Sequence, residues 1–358
     1  MDAEPLKLRM LPLCWANYYP GNSSLEEDSS FVFSGIAYDP QAEQGLFDMR
    51  QGVMIRGHVR KLVANIHRAC ENSETGTATV VISDIFNFLT FDVMADLAFG
   101  APLGLLDAGV YSPWVANVFA IFRLLSLRVV LLQYLPLLNG MLMPLLASNS
   151  VREKRNVHLG YISNLVDKRL DRSEDVDRPD IWTLVEKNQD GLSRPEMHSN
   201  AVISMSAGTE TTATSLSGMM WHLTTHPECM AKLVCEIREV EGGEEAFTME
   251  TLAKLPYLNA VINGGLRCYV PTPDMPYRLV PAGGAVISGH DVPAGTIVGI
   301  QQWPAYHSHH NFHSPDEFLP ESWLPGATES GDFVNDVRRV FRPFGIGPRS
   351  CIGKNLAM

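Results

Sequence analysis

The pattern of apolar positions indicates a chain built mostly from helices. From Gly52 onward, apolar residues recur at three- and four-residue spacing until Asn72, and Gly76 ends the run. Further periodic runs predict helices at Val81–Leu97, Glu228–Glu241 and Pro256–Cys268.

The longest predicted helix runs from Ser193 to His226. Ser193 and Glu196 form a capping box with Pro195 in the first turn, and Pro227 directly follows the last residue. Such a helix of roughly 30 residues is about 45 Å long, enough to cross a whole domain.

After Pro271 the pattern changes to short extended pieces separated by turn residues, which predict a small antiparallel sheet. A loop rich in proline and glycine then leads to Cys351, where a helix begins. The predicted fold is therefore mainly α with a small antiparallel β region. Residues 1–50 show no sustained period and are predicted to be an irregular N-terminal segment, followed by one folded domain over residues 51–358.

The stretch 110–146 is unusually apolar, and its part from Val129 to Leu146 carries no charged residue. A membrane-spanning helix there would have to contain two prolines, Pro136 and Pro144, and proline is costly inside a helix. We favour buried helices, or an apolar surface that dips into a bilayer.

The composition suits a large globular core, since 46% of the 358 residues are hydrophobic and 19% are charged. The net charge of −12 argues against a nucleic-acid partner, because phosphate contacts need clustered lysine and arginine. Six cysteines without a CxxC pair fit neither a disulfide scaffold nor a four-cysteine zinc site, and they indicate an intracellular protein. Four histidines in a proline-punctuated loop are predicted to be surface residues rather than zinc ligands: His307, His309, His310 and His313.

One cysteine carries the clearest chemistry. In FRPFGIGPRSCIG (341–353), Cys351 follows a loop of glycine and proline, precedes a helix, and lies two residues after Arg349. A helix N-terminus and a nearby arginine both favour a thiolate, which is a good ligand for iron. The alternative is a buried structural cysteine. A phosphate-binding loop is excluded because no strand and no GK[ST] sequence accompany the glycines.

This segment resembles the cysteine loop of the cytochrome P450 family, F-x-x-G-x-R-x-C-x-G, at every fixed position. The resemblance implies haem b as the cofactor, with Cys351 as the axial ligand of its iron. The residues implied to surround the haem are Phe344 beside the sulfur, Gly347 and Gly353 against the porphyrin, and Arg349 and Arg278 at its propionates.

Within the long helix, AGTETT (207–212) resembles the family's oxygen-activating motif, [AG]-G-x-[DE]-T-[TS]. By this resemblance Ala207 and Gly208 leave room over the haem, Glu210 relays protons, and Thr211 interrupts the backbone ladder to hold water or dioxygen. The motif alone is equally typical of a buried helix whose hydroxyls bond back to carbonyls four residues earlier. Its position about 140 residues before Cys351 favours the catalytic interpretation.

Two positions depart from the family pattern. Where the family has E-x-x-R, this chain has Gly264 in place of the glutamate but keeps Arg267. Where the family has P-E-R-[FW], this chain reads PESW, with Ser322 in place of the arginine. Two members of a buried Glu-Arg-Arg network are thus replaced, at an expected cost of about 3–5 kcal/mol because Arg267 loses its partners. Glu321 is a candidate replacement partner for Arg267.

The resemblance implies a monooxygenase that inserts one oxygen atom from O2 into an apolar small molecule, similar to fungal members that oxidise secondary metabolites. Electrons would come from NADPH through NADPH-cytochrome P450 reductase, docked on the Cys351 side, and the substrate would contact residues 110–146. Association with the endoplasmic reticulum membrane is also implied, although the first residues contain no apolar run long enough for an anchor.

The resemblance covers residues 51–358 and indicates a catalytic domain that is incomplete at both ends. Two alternatives stay open. One is an inactive haem-binding relative, which Gly264, Ser322 and the ends of the chain motivate. The other is a family member that performs isomerisation or dehydration without oxygen, against which the intact Glu210 and Thr211 count.

Overall fold

A computed structural model describes most of the chain from residue 44 onward. The described ranges are 44–112, 149–171, 193–273, 277–347 and 350–358, with single positions at 115, 131 and 135. The predictions for residues 1–43 and for most of 110–146 lie outside these ranges. Within them, no helix combines the length and the apolar composition that crossing a membrane requires.

The described elements are helices with a few short strands, which confirms the predicted mainly α fold class. The helices are α1 Gln44–Glu71, α2 Ile82–Phe99, α3 Leu105–Ala108, α4 Asn149–Leu170, α5 Arg194–Thr225, α6 Pro227–Arg238, α7 Met249–Ala253, α8 Pro256–Cys268, α9 Gln302–Tyr306 and α10 Lys354–Ala357. The strands are β1 Arg278–Leu279, β2 Ala285–Ile287, β3 His290–Val292 and β4 Ile297–Val298. Single 3₁₀ turns occupy Gly243–Ala246, Pro320–Trp323 and Arg338–Val340.

These elements form two compact units. The helical unit comprises the described residues of Ser30–Ser217 together with Gly243–Leu252. The cysteine unit comprises the described residues of Gly218–Gly242 and Ala253–Met358. Helix α5 supplies residues to both, because the boundary falls between Ser217 and Gly218.

In the helical unit, α2 is a core helix that packs against α1 and α3. Its buried residues lie on all sides of the helix, as expected for an element surrounded by protein. Asp92, buried in α2, accepts hydrogen bonds from the N–H groups of Leu105 at 3.0 Å and Leu106 at 2.9 Å. The carboxylate thereby satisfies donors at the start of α3 that have no partner within that helix.

The helices predicted from the apolar period are confirmed; α8 has the predicted ends, and the ends of the others are shifted. Helix α1 begins at Gln44, so residues 44–50 of the predicted irregular segment are helical. Backbone hydrogen bonds do not need an apolar period, and a helix can therefore extend beyond its packed face. Helix α5 has 32 residues. One half of its predicted capping box forms, since the Ser193 N–H donates to Glu196 Oε2 at 2.7 Å.

In the cysteine unit, α6, α8 and the turn Pro320–Trp323 pack together. The carboxylate of Glu236 accepts hydrogen bonds from the N–H groups of Tyr257 at 2.7 Å and Leu258 at 2.8 Å, at the start of α8. Gly265 of α8 lies against α5 so closely that a Cβ atom there would be 2.3 Å from Met219 Cγ. A glycine at this point thus sets how closely the two helices approach.

The strands form two separate antiparallel pairs. Strand β1 pairs with β4, placing Arg278 opposite Val298, and β2 pairs with β3, placing Val286 opposite Asp291. The predicted antiparallel pairing is confirmed. The prediction of one sheet is wrong, because the four strands form two separate two-stranded sheets. Glycines with positive φ at turns limit the strands to two or three residues.

Candidate functional site

Backbone hydrogen bonds close residues 344–351 into a loop. The Cys351 N–H donates to the Phe344 carbonyl at 2.7 Å, and the Ser350 N–H donates to the Gly347 carbonyl at 2.9 Å. Gly347 has φ of +78°, a conformation that side chains rarely adopt, so the turn favours glycine there. Cys351 is free and exposed, which excludes the alternative of a buried structural cysteine.

Two apolar residues of the same segment are exposed. Ile346 is 73% exposed and Ile352 is 62% exposed. Phe344 is partly buried and packs against a core cluster that includes Tyr306 and Phe341. The loop is therefore anchored through its aromatic residue and presents an exposed apolar surface near the cysteine.

The helix after Cys351 begins later than predicted. Residues 352–353 form a turn, with the Lys354 N–H donating to the Cys351 carbonyl at 3.4 Å, and α10 starts at Lys354. The prediction that Cys351 immediately precedes a helix is wrong because this turn separates them. A Cβ atom at Gly353 would lie 3.8 Å from Cys351 Sγ, an ordinary contact. Arg349 lies outside the described residues.

The predicted oxygen-activating motif lies on an uninterrupted part of α5. Thr211 Oγ1 donates to the Ala207 carbonyl at 2.6 Å, and Thr209, Ser215 and Ser217 bond back by four residues in the same way. These hydroxyls thus follow the alternative in which side chains donate to carbonyls four residues earlier. The prediction that Thr211 interrupts the backbone hydrogen bonds of the helix is not met, since α5 is continuous there. A hydroxyl that donates to a carbonyl keeps lone pairs that can accept a further hydrogen bond.

Glu210 is a partly buried carboxyl group with an unsatisfied oxygen. Its Oε2 atom is buried and makes no hydrogen bond to the described residues. Burial raises the pKa of Glu210, because surroundings of low polarity disfavour its charged form. A carboxyl group that keeps its proton at higher pH suits the role of a proton donor.

Helix packing accounts for one of the two small residues before Glu210. A Cβ atom at Gly208 would lie 2.7 Å from both Cε and Sδ of Met94, a buried residue of α2. Ala207 is exposed. The glycine is thus explained within the helical unit, and its predicted role beside a haem stays a prediction.

The predicted propionate ligand Arg278 is partly buried in β1. Its Nη1 donates to the Tyr277 carbonyl at 2.9 Å, and pairing with β4 fixes its backbone. Its contact with a propionate stays a prediction.

Arg267 in α8 is only 2% exposed and is held by neutral acceptors. Nη1 donates to the carbonyls of Tyr306, at 3.2 Å, and Pro315. Nη2 donates to the Glu317 carbonyl at 2.6 Å and to the Cys268 thiol at 3.0 Å. The expectation that Arg267 loses its partners is wrong, because backbone carbonyls take the place of the missing carboxylate.

Glu321 has other partners than Arg267. Its Oε1 accepts hydrogen bonds from Lys232 Nζ at 2.6 Å and from the Tyr257 hydroxyl at 2.9 Å. Burial acts to raise the pKa of Glu321, but hydrogen bonds, above all the one from Lys232, lower it. The hypothesis that Glu321 replaces the family glutamate is wrong, because its carboxylate is engaged elsewhere.

The two replaced positions lie in elements that pack against each other. A Cβ atom at Gly264 would lie 3.3 Å from Phe318 Cε2 and 3.7 Å from Pro320 Cα. Ser322 is buried, and its hydroxyl donates to the Leu319 carbonyl at 2.8 Å. Gly264 is therefore adapted to a tight contact, and the Ser322 carbonyl accepts a hydrogen bond from the Arg338 guanidinium.

Two residues of α9 could not be identified from the sequence. The Tyr306 hydroxyl and the Gln302 side chain bond to the backbone of Arg342, at the start of the cysteine loop. Neither residue belongs to a motif or an apolar period. The tyrosine itself, an aromatic side chain with a polar hydroxyl, is the one feature that could have drawn attention to this position.

A mainly helical protein with an exposed cysteine on a glycine-containing loop, and an acid–threonine pair on a long helix, has the features of the haem-thiolate class. The family model for Cytochrome P450 matches residues 50–358. The chain belongs to the cytochrome P450 family.

Two of three similar curated proteins carry the same family name, and the third is named a hydroxylase. Cytochrome P450 monooxygenase efuB of Hormonema carpetanum is 44% identical over 294 residues, which cover 80% of this chain and 57% of that protein. Cytochrome P450 monooxygenase FUM2 of Gibberella moniliformis is 43% identical over 275 residues, 76% of this chain and 57% of that protein. Averantin hydroxylase of Dothistroma septosporum is 38% identical over 348 residues, 95% of this chain and 62% of that protein. The chain thus spans less than two thirds of the length of these relatives.

Family membership implies a haem-thiolate centre, and the described residues fit one. Cys351 offers a free, exposed thiol, whose thiolate is the soft ligand that such a centre uses. Ile346 and Ile352, in the same segment, have exposed apolar side chains.

Proposed function

We propose that this protein is a haem-thiolate monooxygenase that inserts one oxygen atom from O2 into an apolar small molecule of fungal secondary metabolism. The exposed Cys351 on its closed loop is the observation that carries this proposal. Membership of the cytochrome P450 family supports it, as do relatives named monooxygenases and one named averantin hydroxylase.

In this proposal Cys351 binds the iron of haem b, and the bound haem supplies the redox chemistry that activates O2. Phe344 packs near the sulfur and anchors the loop in the core. Further contacts with the porphyrin and its propionates are assigned to Gly347, Gly353, Arg278 and Arg349.

Glu210 and Thr211 are the proposed catalytic residues on α5. Glu210 holds a proton at a higher pH than an exposed glutamate, because burial raises its pKa. The Thr211 hydroxyl donates to the Ala207 carbonyl, and its lone pairs can accept a hydrogen bond from water. The pair would deliver protons to the reacting oxygen.

The proposed electron donor is NADPH, acting through NADPH-cytochrome P450 reductase. The proposed substrate is small and apolar, in contact with residues 110–146. The same apolar stretch would support association with the endoplasmic reticulum membrane.

The carbon-monoxide spectrum of the reduced protein tests this function. Wild type and Cys235→Ser should both show the far-red-shifted Soret band of a thiolate ligand, while Cys351→Ser should lose it. Cys235 is a matched control because it is also an exposed, free cysteine in the cysteine unit. Metabolite extracts of a producing strain with and without the gene should then differ by an oxygenated product.

The same experiment separates the alternatives. Wild-type protein without bound haem would overturn the proposal in favour of an inactive relative. A thiolate spectrum with a rearranged product that contains no added oxygen would favour the non-oxidative alternative instead.

A further inference from the structure

Helix α9 holds residue 342 of the cysteine loop by both of its backbone groups. The Arg342 N–H donates to the Tyr306 hydroxyl at 2.8 Å. Gln302 Nε2 donates to the Arg342 carbonyl at 3.3 Å. A backbone position fixed at its donor and at its acceptor has little freedom to rotate.

Tyr306 is itself held firmly. It is 1% exposed, and its ring packs against Phe341 with 5.1 Å between the ring centroids. Its carbonyl, at the end of α9, accepts a hydrogen bond from Arg267 at 3.2 Å. Burial raises the pKa of Tyr306 to about 12, so its hydroxyl stays neutral at physiological pH.

The backbone then leads from residue 342 to the residue that binds the cysteine N–H. Two residues after Arg342, the Phe344 carbonyl accepts the Cys351 N–H at 2.7 Å. A short chain of contacts therefore leads from Arg267 in α8, through Tyr306 and Arg342, to the backbone of Cys351. Each contact lies inside the cysteine unit.

We propose that Tyr306 is a positioning residue for the haem ligand: its hydroxyl fixes the start of the cysteine loop and thereby the orientation of the Cys351 sulfur. This role rests on the proposed function, in which Cys351 binds the haem iron. The hydrogen bond between the Arg342 N–H and the Tyr306 hydroxyl joins two neutral groups.

The test is the substitution Tyr306→Phe, which removes one hydroxyl and keeps the ring. Tyr257→Phe is the matched control, since Tyr257 is also buried in the cysteine unit but donates to Glu321 and not to the loop. Two properties are measured on the full chain: hydrogen exchange of the Arg342 amide, and the thiolate-type fraction of the reduced carbon-monoxide spectrum.

In Tyr306→Phe we expect exchange at Arg342 to become about 5- to 10-fold faster, the change expected for one neutral hydrogen bond. We also expect the thiolate-type fraction of the reduced carbon-monoxide spectrum to fall, with the remainder absorbing where a haem protein without thiolate ligation absorbs. Both properties should stay at the wild-type values in Tyr257→Phe.

The proposal is overturned if Tyr306→Phe keeps the full thiolate-type band, or if Arg342 exchanges no faster than in the control. A wild-type protein without that band would refute the proposed function, and the exchange rate would then decide alone whether Tyr306 orders the loop. If Tyr306→Phe does not fold, Gln302→Ala removes the second contact to residue 342, and the same two measurements decide.

Discussion

Removal of the Arg267 side chain should destabilise the protein strongly. Arg267→Ala eliminates four hydrogen bonds and leaves the carbonyls of Tyr306, Pro315 and Glu317 without this donor. A hydrogen bond to a charged group contributes about 1.5–3 kcal/mol, but contacts made by one side chain do not add independently. Counting about two such bonds, we expect a loss of at least about 3 kcal/mol, a large share of a typical total of about 5–15 kcal/mol.

Urea unfolding of the purified chain measures this loss. Arg339→Ala is the control, because Arg339 is exposed and lies in the same unit, so its removal should change the free energy of unfolding by less than about 0.5 kcal/mol. Arg267→Lys should fall between the two, since lysine keeps the charge but lacks the planar fork that reaches several carbonyls. If Arg267→Ala is no less stable than Arg339→Ala, the carbonyls do not hold the arginine as described.

Four further changes test burial and packing. Burial raises the pKa of Glu210, so wild type should lose stability as pH rises from the unfolded-state pKa of about 4.3 toward the raised folded-state pKa, and Glu210→Gln should lose less in unfolding experiments. Burial lowers the pKa of His222 to about 4, so wild type should lose stability as pH falls from about 6.5 toward 4, and His222→Gln should lose less. Gly265→Ala should cost roughly 1–3 kcal/mol by crowding Met219, with recovery in a Met219→Ala background, measured by a double-mutant cycle. Gly160→Ala, where an added Cβ meets nothing within 4 Å, should instead stabilise by up to about 1 kcal/mol.

The helices could be predicted well where local residues determine their ends. Helix α8 has the predicted bounds, because Pro256 suits a first helical position and the apolar period continues to its last turn. Helix α6 ends at Arg238, three residues before the predicted Glu241. The end was missed because glutamate is common both inside helices and in exposed turns, so the acidic residues that follow do not mark it. The division of the strands into two pairs could not be predicted, because pairing depends on contacts that the local pattern does not encode.

For the candidate site, side-chain motifs were visible and backbone partners were not. Phe344, Gly347 and Cys351 were predicted from the motif F-x-x-G-x-R-x-C-x-G, and their roles toward a haem stay predictions. The acceptors of Arg267 are backbone carbonyls, which every residue carries, so no sequence pattern marks Pro315 as a partner. The sequence therefore suggested an unpaired arginine where the fold supplies acceptors.

The two departures from the family pattern also compensate each other in charge. A Glu-Arg-Arg network carries a net charge of +1 at its three positions, and Arg267 with Gly264 and Ser322 carries the same +1 at those positions. A further arginine, Arg338, donates through Nη2 to the Ser322 carbonyl. Replacing only the glutamate would have left two buried arginines facing each other, and replacing only the arginine would have changed the balance by one charge. Gly264 and Ser322 lie in packed elements, and Gly264 closes tightly against Phe318 and Pro320. Replacing both the glutamate and the arginine removes one pair of opposite charges and leaves Arg267, whose hydrogen bonds go to neutral carbonyls. The substitutions at Gly264 and Ser322 therefore support an inactive relative less strongly than the sequence alone suggests.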